Sequence, residues 1–304
     1  MNHIIFGPVT SRRFGQSLGI DLSPNKKQCN FDCLYCELKG AKTVDNAKNT
    51  PTYTEVLEAL SEALKRHHSI DVITLTANGE PTLYPELESL INGIQALNTG
   101  IKLLILSNGS TISNTHIQSI LMHVDIVKLS LDCATPICFK KLDRPHNTLS
   151  LDAIIEGMKT FRQRFNKSLI LEILVVEGLN DTYEEFEALN AILQTIQPDR
   201  IDVGTIDRPP AYSVKGVSLQ RLIELADVLK DLHVNIAYKK DYPPLQHHFN
   251  EKEILGLFER RPQSFDDIKF SFSDESQKIL SKLVIEKKVC IKNVAGVDFY
   301  VKEK

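Results

Sequence analysis

The chain has 304 residues, about two domains' worth at roughly 150 residues each. Hydrophobic residues make up 42% and charged residues 25%, ordinary globular values that exclude disordered, collagen-like and fibrous chains. The net charge of −3 argues against holding nucleic acid by overall charge, and no apolar run approaches the ~18 residues of a membrane helix.

In chain order, residues 17–22 (SLGIDL) read as a strand. Residues 54–66 (TEVLEALSEALKR) carry apolar side chains at spacings of three and four and read as a helix. Residues 71–76 (DVITLT) form the next strand, and 85–97 a helix opened by Pro85. Strand 102–106, helix 113–123, strand 126–131, helix 151–165 and strand 169–176 follow. Helix 182–195 is expected to be capped by Asp181. Strand 200–203, helix 219–232 and a seventh strand over 235–238 complete the series. Six β-then-α units in strict order predict parallel strands joined by right-handed crossovers. The strands are nearly continuous runs of Val, Ile and Leu, as burial on both faces requires. An open doubly wound sheet and a full or partial barrel both fit this alternation.

Two prolines and a charge cluster at 239–244 (KKDYPP) mark a linker, read as 241–249 between units at 1–240 and 250–304. The second unit runs helix 251–259, a short helix near 265–270, helix 274–286 and a hairpin of 289–293 with 297–301 turning at Ala295 and Gly296. Three helices and a two-stranded wing predict a winged-helix-like domain. Its 11 Lys and Arg against 10 Asp and Glu over residues 250–304 leave almost no net charge for DNA. Lys278, Lys282, Lys287 and Lys288 nevertheless cluster near the third helix and its exit. Either the unit positions a macromolecular substrate or partner, or it covers the open side of the first unit. The N-terminus places its positive charges after its short apolar stretch, the wrong order for a signal peptide, so a cytoplasmic location is expected.

Six cysteines in a chain this long do not make a disulfide scaffold. Cys29, Cys33 and Cys36 fall within eight residues, whereas Cys133, Cys138 and Cys290 are scattered and expected to be structural. A C-x3-C-x2-C triplet arises by chance in roughly 0.002 chains of this length and cysteine content. A structural zinc site wants four ligands, and no fourth Cys or His is near. Three thiolates instead suit an iron–sulfur cluster with one iron left free for a small molecule.

In parallel α/β barrels chemistry collects after the C-terminal ends of the strands. Other polar groups of this chain fall there too. Asn78-Gly79-Glu80-Pro81 follows the second strand and Ser107-Asn108-Gly109 ends the third. The fourth strand puts Lys128, Ser130 and Asp132 on one face. Glu172 lies on the fifth strand, which ends in Glu177-Gly178-Leu179-Asn180-Asp181, and Asp207-Arg208-Pro209-Pro210 follows the sixth.

A C-x3-C-x2-C motif with an aromatic before its third Cys, after the first strand of a βα series, resembles the radical S-adenosylmethionine (radical SAM) superfamily over about residues 5–240. Asn78-Gly79-Glu80 resembles its glycine-rich GGE motif, with Asn in the first position. FGPVTSRRFGQSLGIDL, NGEPTL, SNGS and RPP resemble a branch labelled wyosine-synthase-like. The resemblance implies an α/β fold, a partial (β/α)6 TIM-type barrel. It implies that Cys29, Cys33 and Cys36 ligate one [4Fe–4S] cluster and that the chain cleaves S-adenosylmethionine reductively to a 5′-deoxyadenosyl radical. That radical would take a hydrogen atom from a substrate the motifs do not identify. Asn78, Gly79 and Glu80 would lie at the methionine amino group, Tyr35 by the adenine, and Asn108, Ser130, Asp132 and Glu172 at ribose or methionine. A one-electron donor such as flavodoxin or ferredoxin is implied as partner. Residues 1–28 lack the extra cysteines of a wyosine synthase, so a different substrate is expected. Modification of an RNA base or a peptide, and a cluster-containing winged-helix redox sensor, are the alternatives. Arg12, Arg13 and Arg208 would contact an anionic substrate at the barrel opening, with Arg144 a weaker fourth.

Overall fold

The computed structural model describes residues 4–11, 13–236, 246–260, 262–294 and 297–303. Its first part runs β1 (Ile5–Ser11), β2 (Gly15–Asp21), α1 (Tyr53–Arg66), β3 (Val72–Thr76), α2 (Leu87–Ala96), β4 (Lys102–Ser107), α3 (Thr115–Leu121) and β5 (Ile126–Ser130). It continues through α4 (Pro136–Leu142), α5 (Leu151–Arg164), β6 (Ser168–Val175), α6 (Tyr183–Ile196), β7 (Arg200–Thr205), α7 (Leu219–Ala226) and β8 (Val234–Ile236). The remainder comprises α8 (Glu251–Arg260), β9 (Gln263–Ser264), α9 (Phe265–Ser271), α10 (Asp274–Ile285), β10 (Val289–Val294) and β11 (Val297–Lys302).

Strands β1 to β8 form one sheet in chain order. β1 pairs antiparallel with β2, and every pair from β2 to β8 is parallel. Among the described residues β1 and β8 are the two edges, so the barrel is open. The fold is thus α/β with a mostly parallel sheet. One face of each strand packs under the helices. Ile73, Leu75, Ile105, Val127, Leu129, Leu171 and Val203 lie there, buried against helix residues such as Leu60, Leu90, Phe161 and Phe186. Each such side chain contributes about 1.5–3 kcal/mol by leaving water. The other face looks inward. Register places Ser130 beside Glu172, Glu172 beside Asp202, and Asp202 beside Asn235.

Several boundaries differ from the sequence reading. β1 was not expected. Pro8 follows Gly7 in it through a cis peptide bond, and an irregular register near them breaks the alternating pattern that announces a strand. α4 was also unassigned: seven residues opened by Pro136 are too short to show a helical period. The second helix begins at Leu87 rather than at Pro85, and Pro81–Leu83 before it forms a separate 3-10 turn. Thr182, not Asp181, caps α6 by accepting from Glu185 N, while Asp181 Oδ1 accepts from Gly178 N at 2.9 Å. α7 ends at Ala226, short of the expected 232. Cys133 and Cys138 are not lone buried thiols but are joined by a disulfide. Residues 237–245, with most of the expected linker and the end of the expected seventh strand, lie outside the described residues. So do Ala295 and Gly296 at the expected hairpin turn.

In the C-terminal part, β10, β11 and β9 pair in that order beside α8, α9 and α10. The core there holds Phe249, Ile254, Leu257, Phe258 and Phe272, and it is completed by Val9 and Phe6 of β1. Arg66 on α1 bonds Glu253 at 2.7 Å, and His247 Nε2 donates to Gln16 Oε1 at 2.8 Å. The edge strand of the barrel therefore belongs to two cores at once.

Candidate active site

The C-terminal ends of β2 and β3 are locked together before the cysteines begin. Leu22 N donates to Thr76 O at 2.9 Å, and Asp21 Oδ1 accepts from Asn78 N at 2.8 Å. Gln28 N donates to Asn78 O at 2.8 Å, and Glu80 N to Gln28 O at 3.0 Å. Gly79 lies at φ +144° between these bonds, and a Cβ there would run into the backbone of Gln28. Only glycine permits this close strap. It fixes where the cysteine loop starts.

The loop that follows is held from two other sides. Asp32 N and Leu34 N donate to Asp143 O and Leu142 O at the end of α4, at 3.0 and 2.9 Å. Phe31 packs edge-on against Phe139 of α4, with centroids 5.3 Å apart. Ala211 N, in the loop after β7, donates to Cys36 O at 2.8 Å. Asp32 accepts from Tyr212 at 2.5 Å and pairs with Lys27 at 3.2 Å and Arg144 at 3.3 Å.

Cys29, Cys33 and Cys36 are free thiols on one cavity of about 430 Å³. Tyr35, Asn78, Gly79, Lys27 and Arg208 share its wall with Asp21, Thr76, Leu106 and Leu174. Burial pushes the Cys29 thiol up to about 12, and burial with nearby Asp143 also raises Cys33. Unligated, these two sulfurs keep their protons, and a metal must displace them to bind. A single zinc ion with ~2.3 Å bonds would draw its sulfurs within about 4 Å of one another. Among the described residues, the set of three donors so closely grouped is Cys133, Cys138 and Glu185, not the loop cysteines. Two of those donors are spent on the disulfide. Cys29, Cys33 and Cys36 offer three thiol donors on the wall of one cavity.

The other expected site residues divide. Tyr35 lies at the cavity wall, but its hydroxyl donates away to Asp132 at 2.5 Å. Asp132 also accepts from Leu174 N at 2.7 Å. Burial raises the carboxyl pKa values of both Asp132 and its neighbour Asp143, and their mutual repulsion raises Asp143 further. Glu80 does not reach the cavity wall. It accepts from Thr82 N at 2.9 Å, Thr82 Oγ1 at 2.6 Å, Ser107 Oγ at 2.7 Å and Asn108 N at 2.7 Å. Burial raises Glu80, and these bonds only partly counter it. Asn108 Nδ2 donates to Asn30 Oδ1 at 2.9 Å and approaches Cys29 Sγ at 3.5 Å. With Ser130 and Asp132 it lines a narrow crevice behind the cysteine loop.

Glu172 sits deeper in the barrel. It pairs with Arg13 at 2.6 Å and with Lys128 at 2.7 Å, and Asp202 joins both cations at 3.3 Å. Arg13 therefore does not stand at the opening as expected. It lies in the β1–β2 turn, at the opposite end of β2 from the cysteine loop. Arg12 lies outside the described residues. Arg208 does reach the cavity, buried to 6% exposure and bonded to Pro262 O, with Glu37 at 3.7 Å and Asp267 at 4.0 Å. Arg144 turns to Asp32 and the Tyr212 ring. Lys27, Asp32, Asp143 and Tyr212 were missed by sequence reasoning. Lys27 and Asp32 lie inside the cysteine motif's own surroundings and were open to notice; Asp143 and Tyr212 come from distant loops with no local signal.

The family model described as the radical SAM superfamily matches residues 27–190. A "UPF0026 protein" of Helicobacter pylori (strain ATCC 700392 / 26695) is 38% identical over 300 residues, covering 98% of this chain and 97% of that one. A "Probable GTP 3′,8-cyclase" of Thermococcus kodakarensis is 26% identical over 254 residues, covering 80% of this chain and 78% of its own. Among solved structures, Streptococcus suis SuiB bound to precursor peptide SuiA aligns with TM-score 0.57 at 19% identity, over 72% of this chain and 48% of that one. At that identity the likeness is one of fold.

Proposed function

Since the chain belongs to the radical SAM superfamily, we propose that Cys29, Cys33 and Cys36 hold its [4Fe–4S] cluster and that the adjoining cavity seats S-adenosylmethionine and a substrate. The cavity carries this reading: three free thiols share it with inward residues of β3, β4 and β6 at the C-terminal ends of the strands. The cluster, once reduced, and its bound S-adenosylmethionine supply a 5′-deoxyadenosyl radical. The chain's own residues do the rest. Asn78 and Gly79 offer backbone to the methionine end, and the Tyr35 ring offers a flat wall for adenine. Glu80, Asn108 and Asp132 position these groups through the hydrogen bonds described. Ser130 and Glu172 face the same interior, and Arg208 supplies a buried cation for an anionic substrate group. Leu106, Leu174 and Ile206 keep the wall apolar, which helps exclude water from the site.

An RNA base or a peptide side chain is a fitting substrate class for the remaining space. The C-terminal part, read as winged-helix-like, would steady the rim through Arg208. A pure redox sensor would need no room beyond its cluster, and the cavity extends past the cysteines to Asp21, Thr76 and Arg208. Among the described residues no helix is long and apolar enough to cross a membrane.

Anaerobic reconstitution followed by iron analysis and paramagnetic resonance tests the ligand set. About four irons per chain are expected, with a reduced-cluster signal that shifts on adding S-adenosylmethionine. Changing Cys29, Cys33 and Cys36 to Ala should abolish both, while Cys290→Ala should leave both unchanged. Iron retained in the triple variant would refute the assignment.

A further inference from the structure

Residues 24–48 and 136–148 hold eight Lys and Arg against four Asp and Glu, in a chain whose net charge is −3. Two of those four acids, Asp32 and Asp143, are buried. The backbone gathers the two stretches into one surface. α4 is strapped to the cysteine loop through Asp32 N and Leu34 N. The stretch after the cysteines wraps back through Val44 N to Cys29 O at 2.9 Å and Lys48 N to Gln28 Oε1 at 2.8 Å. Lys26, Lys39, Lys42, Lys48, Lys140 and Lys141, all on these two stretches, are exposed. None of the six forms an ion pair among the described residues, whereas Lys27 and Arg144 are turned inward to Asp32. Cys33, Leu34, Tyr35 and Cys36 lie within the first of these stretches and are partly exposed.

We propose that this basic face around the cysteine loop is the docking surface for an acidic one-electron carrier protein. The inference rests on the cluster assignment above and names its reductant's seat. None of the six lysines lines the cavity, so a partner held by them reaches the cysteine loop without blocking substrate entry. The cavity's own rim carries Glu37 and Asp207 beside Arg208, a mixed set that does not seat a phosphate backbone. That separation favours a protein reductant over RNA on this face. In the encounter one electron passes from the carrier to the cluster; the carrier is oxidised by one electron, the cluster is reduced by one, and no atoms move.

Charge of this kind acts on encounter. Steering by a surface potential raises association about 10–1,000-fold and weakens steeply with salt. The test uses the reconstituted full chain, a reduced flavodoxin as carrier, and the variant Lys39→Glu, Lys42→Glu, Lys140→Glu, Lys141→Glu. Flavodoxin affinity and cluster reduction by flavodoxin should each fall on the order of tenfold in the variant at low salt. Raising salt from about 50 to about 300 mM should erase most of the difference. Reduction by dithionite, too small to need the face, should be unchanged. An unchanged flavodoxin affinity would overturn the proposal, as would loss of RNA affinity alone. Flavodoxin binding is read without turnover, so a chain that binds flavodoxin yet releases no 5′-deoxyadenosine with dithionite would fail the functional reading and not this one.

Discussion

Lys128 is 5% exposed and holds two carboxylates inside the barrel, Glu172 at 2.7 Å and Asp202 at 3.3 Å. Burial alone would raise both acids, but Lys128 and Arg13 more than offset it and leave both below the usual carboxylate range. Their contribution to stability is therefore present above the ordinary carboxylate pKa and lost as pH falls through the lower folded values. Lys128→Met removes one cation and leaves buried negative charge, with Arg13 and Arg200 as the remaining partners. A loss of about 3 kcal/mol at pH 7.5 is expected, toward the low end for a broken buried pair. The acids' pKa values should then rise above their unfolded values, so the variant should recover stability between about pH 7 and pH 5. Urea unfolding at the two pH values checks this; an equal deficit at both would contradict it. Lys128 and Glu172 were visible in the sequence as polar breaks in apolar strands, but their pairing was not. Arg13 shows why: its partners are 159 and 189 residues away in sequence, and only the curvature of the folded sheet brings them together.

At the scale of elements, α4 matters more than its seven residues suggest. Phe139 is 5% exposed and meets Phe31 in the cysteine loop, while the carbonyls of Leu142 and Asp143 receive that loop's amides. Phe139→Ala should cost about 3–5 kcal/mol through the cavity it opens and should release the loop. Lower iron retention after reconstitution, alongside a lower thermal midpoint, is the expected result. Full iron retention with the same destabilisation would show that α4 does not brace the loop. Most strands from β2 to β7 were legible because they read as short runs dominated by Val, Ile and Leu between helical periods. The cysteine motif and Gly79 were legible because their spacing is local. β1 was not, since Gly7 and Pro8 interrupt its pattern and its partners Phe249 and Phe258 lie far along the chain. The position of Glu80 was not legible either: a carboxylate in a loop motif looks the same in sequence whether it faces the cavity or, as here, caps Thr82 and holds Ser107.

For the molecule as a whole, the open barrel and the C-terminal helices are tied by more than a linker. Val9 and Phe6 complete the second core, Arg66 reaches Glu253, and Arg208 joins the cavity to Pro262. The C-terminal part thus bears on the barrel's edge and on the rim of the site together. The cysteine loop is enclosed by β2, β3, α4 and the loop after β7, and every one of these contacts serves to hold three thiols at a single cavity. The decisive measurement is release of 5′-deoxyadenosine from S-adenosylmethionine by the anaerobically reconstituted, dithionite-reduced chain, followed by liquid chromatography. Slow release without added substrate, abolished when Cys29, Cys33 and Cys36 are changed to Ala, is the expected result. No release from a chain carrying its full iron, or release that survives the loss of all three cysteines, would contradict the assignment of this cavity to radical chemistry.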